Sequence, residues 1–171
     1  MLRYNNIKKK GFTLIEVIVS IAIVSFLSIY LIQIFITAKN LNAMAYDLDN
    51  AVIVSKSVME SLSAGETIGD TSNDIFLKSA RKMSDEPIYK VRLGEDFEPI
   101  DSDFVEPSYS LDISFNLINA SKSINDYGLY DVSIYVTREE PYFLKVEQNK
   151  QIYSLNASKQ LHFIEGGILN E

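Results

Sequence analysis

Lys8-Lys9-Lys10-Gly11-Phe12-Thr13-Leu14-Ile15-Glu16 leads into an apolar run with no charged residue from Val17 to Ala38. As a helix that run would rise about 33 Å, enough to cross a bilayer core of about 30 Å. Three lysines precede it, and one carboxylate, Glu16, stands at its start. A charge at the edge of hydrocarbon is costly, and intramembrane ionisable residues are functional as a rule. Thr13-Leu14-Ile15-Glu16 also has the spacing of a capping box ahead of an apolar run. In that box Thr13 caps the helix while Glu16 reaches back to a backbone N–H.

A short basic leader ending in Gly, then Phe, then Glu five positions after that Gly, then a long apolar segment: this N-terminus resembles that of the type IV pilins and pseudopilins. Gly11, Phe12, Glu16 and Val17–Ala38 carry the likeness. It is concentrated in residues 8–38, thins toward Leu62, and beyond that is one of architecture. The resemblance implies that a prepilin peptidase cuts between Gly11 and Phe12 and methylates the new amine of Phe12. It also implies a helical filament built on packed N-terminal helices. In such a bundle the Phe12 ammonium of one subunit would lie at the depth of a neighbour's Glu16. Removing one partner of a buried pair costs about 3–5 kcal/mol, so the pair would set axial register. This role and capping are compatible.

The 171 residues fit one globular domain plus an anchor. The formal charge is −7, and loss of residues 1–11 with Arg3, Lys8, Lys9 and Lys10 would take it to −11. That argues against a nucleic-acid groove, which needs a basic stripe. Cysteine is absent, so no disulfide staples the outer part. Many pilins of Gram-negative bacteria close their C-terminal region with one, and this chain departs from them there.

The four basic residues of the leader place its side of the helix in the cytoplasm. A cleaved secretory signal is a competing reading, because Ala43-Met44-Ala45 is an A-x-A site. Against it, the apolar core far exceeds the usual length of about 7–15 residues. No Gly or Pro occurs from Phe12 to Ala64, so the helix can run on beyond the membrane. After Ala38, Leu41, Met44, Leu48, Ala51, Val52, Val58, Met59 and Leu62 recur at three or four residues. Lys39, Asn42, Asp47, Asn50, Lys56 and Glu60 fall mostly on other faces, as in an amphipathic helix laid on a core. A continuous helix to Leu62 would be about 75 Å long.

Ala64-Gly65-Glu66 ends that helix, and 65–74 read as a loop. Asn73 caps a predicted short helix, Asp74 to Met83. Ile88–Leu93 reads as a strand and Gly94–Pro107 as an acidic loop. Alternation predicts strands at Tyr109–Leu117 and Tyr130–Thr137, joined through a turn at Ser121–Gly128. Tyr142–Val146, Ile152–Leu155 and Gln160–Ile164 read as further strands, with a hairpin turn at Gln148-Asn149-Lys150. The expected fold is α+β: a long N-terminal helix packed on a small antiparallel sheet, pilin-like. The expected parts are a leader (1–11), a transmembrane and filament-core helix (12–38), an amphipathic spine (39–63) and an extracytoplasmic domain (64–171).

Little points to chemistry. The one histidine, His162, sits in a strand pattern and is read as structural. No thiol, nucleophile elbow, P-loop, H-E-x-x-H or Rossmann pattern appears. Asp101, Asp103 and Glu106, with Glu98 nearby, are calcium candidates by ligand type; a solvated acidic loop is the plainer reading. Some pseudopilins bind calcium in the outer domain, but this spacing is not an EF-hand. Tyr109, Phe115, Tyr130, Tyr135, Tyr142, Phe143 and Tyr153 lie in strand patterns, where aromatics serve packing first. Asn119-Ala120-Ser121 and Asn156-Ala157-Ser158 match the glycosylation sequon and are read as coincidence.

The reading is a minor pilin or pseudopilin of a type IV pilus or a related secretion or DNA-uptake filament, not an enzyme, with no cofactor. Val58-Met59-Glu60-Ser61-Leu62 is loosely similar to the end of the spine helix in minor pilins. The resemblance implies as partners other pilins, the prepilin peptidase, a membrane assembly platform protein and the lipid bilayer, with no nucleic acid. Gly11 and Phe12 are the processing site, and Thr13 and Glu16 serve assembly. The subunit would sit in the cytoplasmic membrane, C-terminal domain outside, before joining an extracellular filament. The alternative is a single-pass membrane-anchored extracellular binding protein that never polymerises.

Overall fold

With no breaker between Thr13 and Ala64, the chain forms one helix, α1, Leu14–Ser63. It stops in a Schellman arrangement: Gly65 takes φ +88, its N–H donates to Leu62 O at 3.2 Å, and Glu66 N–H donates to Ser61 O at 3.0 Å. Gly65 thereby satisfies carbonyls that the helix end leaves open. The structure is a computed structural model. It describes residues 13–69, 72–83, 88–102, 104–120, 127–145 and 149–162, with 119, 120, 127 and 162 described by backbone alone.

The chain divides into two compact units, Met1–Asn40 and Leu41–Glu171. In the first, α1 is apolar on every side. Ile15, Val17, Ile21, Phe26, Leu31 and Phe35 are all exposed, as suits a helix solvated by lipid rather than by protein. Ser20, Ser25, Ser28 and Thr37 return their hydroxyl protons to the carbonyl four residues back, at 2.7–2.9 Å. That satisfies these polar groups without water, a requirement in a bilayer. Among the described residues this is the one helix long and apolar enough to cross a membrane.

In the second unit the same helix becomes one-sided. Asp47, Ala51, Val54, Ser55, Val58, Met59 and Leu62 are buried at helical spacing, while Asp49, Lys56 and Glu60 are exposed. Five antiparallel strands follow, β1 Arg81–Lys82, β2 Ile88–Leu93, β3 Tyr109–Ala120, β4 Tyr127–Arg138 and β5 Lys150–His162, in the order β1-β2-β3-β4-β5. Alternation assigns Tyr89, Val91 and Leu93, then Leu111, Ile113 and Phe115, then Val132, Ile134 and Val136 to one face. These join Ala51, Val54, Val58 and Leu62 in the core. Fully burying one such side chain is worth about 1.5–3 kcal/mol, so this face orders the unit. The other face is polar, with Asp112 opposite Tyr135 and Ser114 opposite Ser133.

Three local expectations are corrected. The short helix α2 is Ile75–Ser79, capped by Asp74 rather than Asn73. Asp74 Oδ1 accepts from Phe76 N–H at 2.8 Å, while Ser61 of α1 donates to Asp74 Oδ2 at 2.7 Å, so the cap is also docked on the spine. The helix cannot reach Met83 because Ala80 is extended and Arg81–Lys82 pair with β2. Tyr142–Lys145 form a turn instead of a strand: Lys145 N–H donates to Tyr142 O at 2.9 Å, and Leu144 has φ 58. Ile152–Leu155 and Gln160 onward are one strand, β5, with Ile152 left as the extra residue of a bulge opposite Val136/Thr137. Val146, Gln148, Phe163, Ile164, Gly166 and Gly167 lie outside the described residues, as do 121–126 of the expected turn.

Candidate functional site

The helix start carries the expected capping box. Thr13 N–H donates to Glu16 Oε2 at 2.8 Å, the Thr13 hydroxyl donates to the same oxygen at 3.1 Å, and Glu16 N–H reaches Thr13 Oγ1 at 3.4 Å. The box closes because the first-turn N–H groups of a helix lack intrahelical partners. Glu16 is exposed, and the bonds it accepts converge on one of its two oxygens. A carboxylate offers about four acceptor positions, so this one can cap its own helix and still meet a cation from outside. Gly11 and Phe12, the expected processing site, lie outside the described residues. Residues 6–32 match a family model described as the prokaryotic N-terminal methylation motif. The chain carries the type IV pilin and pseudopilin leader. Comparisons with curated proteins and with solved structures find no match. The motif supports a type IV pilin-like prepilin subunit, and with the one long apolar helix among the described residues it points to a membrane-anchored one.

The second unit contains a polar cluster that periodicity did not single out. Asp47, read from the sequence as lying off the core face of the helix, is 1% exposed. It is buried because three donors converge on it: Tyr109 Oη at 2.8 Å on Oδ1, and Tyr142 Oη at 2.7 Å and Arg138 Nη1 at 2.8 Å on Oδ2. Arg138 Nη1 also donates to Tyr109 Oη at 3.0 Å, and its Nε donates to Glu140 O at 2.9 Å. The guanidinium lies over the Tyr142 ring, 4.6 Å from its centroid, a cation–π contact that shields it further. Phe97 stacks on Tyr109 at 4.0 Å, and Tyr46 meets Phe97 edge-on at 6.3 Å.

Burial, then the hydrogen bond to Asp47, push the phenols of Tyr109 and Tyr142 well above their ordinary range. Burial alone would lower Arg138, but its bond to Asp47 and the surrounding phenols outweigh it, and the net shift is upward. All three donors therefore stay protonated at neutral pH. The cluster is a lock between α1 and the ends of β3 and β4, not a proton-transfer site. Its one sequence signal was spacing: Asp47 stands four, seven and eleven residues before Ala51, Val54 and Val58.

The acidic loop between β2 and β3 is held by arginines through its backbone. Arg81 Nη2 donates to Asp101 O at 3.1 Å, Arg92 Nη1 to Ser102 O at 3.1 Å, and Arg92 Nη2 to Val105 O. Asp101 and Glu106 are exposed, and Asp103 lies outside the described residues. Among the described residues no group of three or more Asp, Glu, His or Cys side chains is placed to hold a metal. Near the end of α1, Glu66 Oε2 gathers Ser72 Oγ at 2.8 Å with Asn73 N–H and Asp74 N–H at 3.0 Å each. Led by the Ser72 bond, this holds the Glu66 carboxyl below its ordinary value. Of the strand aromatics, Tyr109, Phe115 and Tyr130 are buried, Tyr135 and Tyr153 half-buried, and Phe143 exposed. His162 ends β5, and only its backbone is described.

Proposed function

We propose that this prepilin-like chain is a minor pilin or pseudopilin of a type IV pilus or a related secretion or DNA-uptake filament. The observation that carries the reading is the methylation motif over residues 6–32, running directly into an all-round apolar helix. In this reading a prepilin peptidase cuts after Gly11 and methylates Phe12. The protein waits in the cytoplasmic membrane with its C-terminal unit outside. A platform protein then feeds it into a filament. Glu16 meets the Phe12 ammonium of a neighbouring pilin. Thr13 keeps the carboxylate on the first helical turn, so that burying both charges together costs less than burying either alone.

The test is Glu16→Ala in cells that assemble the filament, read as its share of sheared filaments relative to membranes. A subunit in filaments loses incorporation while its membrane level stays unchanged, because one exposed capping bond is worth only about 1 kcal/mol. Unchanged incorporation would refute the role of Glu16. A share of sheared filaments as large as that of the dominant subunit would refute the minor role. Absence of the unsubstituted chain from filaments would favour a non-polymerising membrane-anchored binding protein.

A further inference from the structure

A cavity of about 270 Å³ opens beside the Asp47 cluster, wholly within the second unit. Its lining is of two kinds. Ala43 and the exposed ring of Tyr46, both from α1, are apolar surface. Glu95, in the turn after β2, and Glu140, just past β4, are exposed carboxylates. Among the described residues neither of these two side chains has a hydrogen bond or an ion pair. Asp47 and Arg138 line the cavity as well, but they are matched to each other at 2.8 Å. Lys150, opposite Arg138 across the β4–β5 pairing, stands 5.8 Å from the centroid of the Tyr142 ring and is not part of the lining. The lining therefore carries three carboxylates against one guanidinium, with the charges of Glu95 and Glu140 left over.

Two unmatched negative charges next to an apolar wall select among occupants. An anion is repelled, and a neutral apolar molecule would leave both carboxylates without a counter-charge. A bare metal ion does not fit either. No group of three acidic side chains among the described residues, Asp47, Glu95 and Glu140 included, is placed to hold one, and the Tyr46 ring offers it no ligand. An alkylammonium ion uses the whole lining. Its methylenes lie along Ala43 and Tyr46, as the stem of a lysine lies on apolar surface, and its charged ends meet the carboxylates and the face of the ring. We propose that this cavity binds a linear diamine or polyamine, whose two or more positive charges match Glu95 and Glu140. The inference does not depend on whether the chain polymerises.

The test is calorimetric titration of cadaverine into the full-length protein in uncharged detergent. The expected result is one saturable site per chain. Glu95→Gln with Glu140→Gln should weaken it roughly ten-fold, the scale of two partly exposed ion pairs, and Tyr46→Ala about three-fold. Each single Glu→Gln substitution should weaken it about three-fold while keeping the near-ultraviolet circular dichroism of the unsubstituted chain, so that a lost site is told from a lost fold. Pentanediol, of the same length without the charges, should not bind. The absence of saturable binding, equal binding of the diol, or an affinity indifferent to the double substitution would overturn the proposal. So would displacement of cadaverine by an equal concentration of magnesium chloride, which would make the lining an acidic surface only.

Discussion

Replacing Asp47 by Ala should be among the most damaging single substitutions in the second unit. The carboxylate is 1% exposed and takes three hydrogen bonds of 2.7–2.8 Å, one of them from a guanidinium whose side chain is 18% exposed. Removing one partner of a buried ion pair costs about 3–5 kcal/mol, because the other is left uncompensated. Arg138 keeps its bond to Glu140 O and some solvent, which brings its part toward the low end. The two phenols lose an acceptor, at about 1 kcal/mol each where water cannot replace it. The contributions overlap, so the expected total is about 3–4 kcal/mol, or roughly 6–16 °C in thermal midpoint for a chain of this size. Chemical unfolding of the full chain in detergent, followed by tyrosine near-ultraviolet circular dichroism, reads it. Asp47→Leu with Arg138→Met should cost less than Asp47→Leu alone, because the stranded cation has gone. A loss below about 1 kcal/mol for Asp47→Ala, or strict additivity in the pair, would refute the lock.

Three further outcomes follow from the same geometry. The phenols of Tyr109 and Tyr142 are raised above the ordinary 10.0, so the stability they confer is complete below pH 10 and is lost as pH rises further. In an absorbance titration these two should ionise only with unfolding, and their ionisation near pH 10 in the folded protein would contradict the cluster. Ser55 is fully buried with no partner for its hydroxyl among the described residues, so Ser55→Ala should stabilise by about 1 kcal/mol; a loss in the denaturation midpoint would show a partner that this geometry lacks. Gly65→Ala meets no atom but must hold φ +88, so it should cost about 1 kcal/mol from backbone conformation alone, and an unchanged midpoint would show that the Schellman cap contributes nothing.

Where a single period or a single chemistry governed a segment, the sequence was sufficient. The absence of breakers from Phe12 to Ala64 predicted α1, and Gly65 its end. Strict alternation located β3 and β4, because a half-buried strand must alternate. The capping box of Thr13 and Glu16 was legible because it is local in sequence. What escaped is set by partners far along the chain. Asp47 looked like a solvent residue until Tyr109, Tyr142 and Arg138 arrived from 62, 95 and 91 positions away. Tyr142, bonded to Asp47, opens a turn closed by Lys145 N–H where alternation had predicted a strand. β5 was read in pieces because its bulge at Ile152 interrupts the alternation that a period-two pattern relies on. The arginine clamps on the acidic loop act through carbonyls, which carry no residue signature.

Processing of the leader is the central claim, and its most direct test is N-terminal sequencing with intact mass of the protein from native membranes. A chain that starts at N-methylated Phe12 is the result it predicts. A chain that still starts at Met1, in cells with active prepilin peptidase, would contradict it and leave an ordinary signal anchor; a start at Tyr46 would contradict it as well and make Ala43-Met44-Ala45 a true secretory cleavage site.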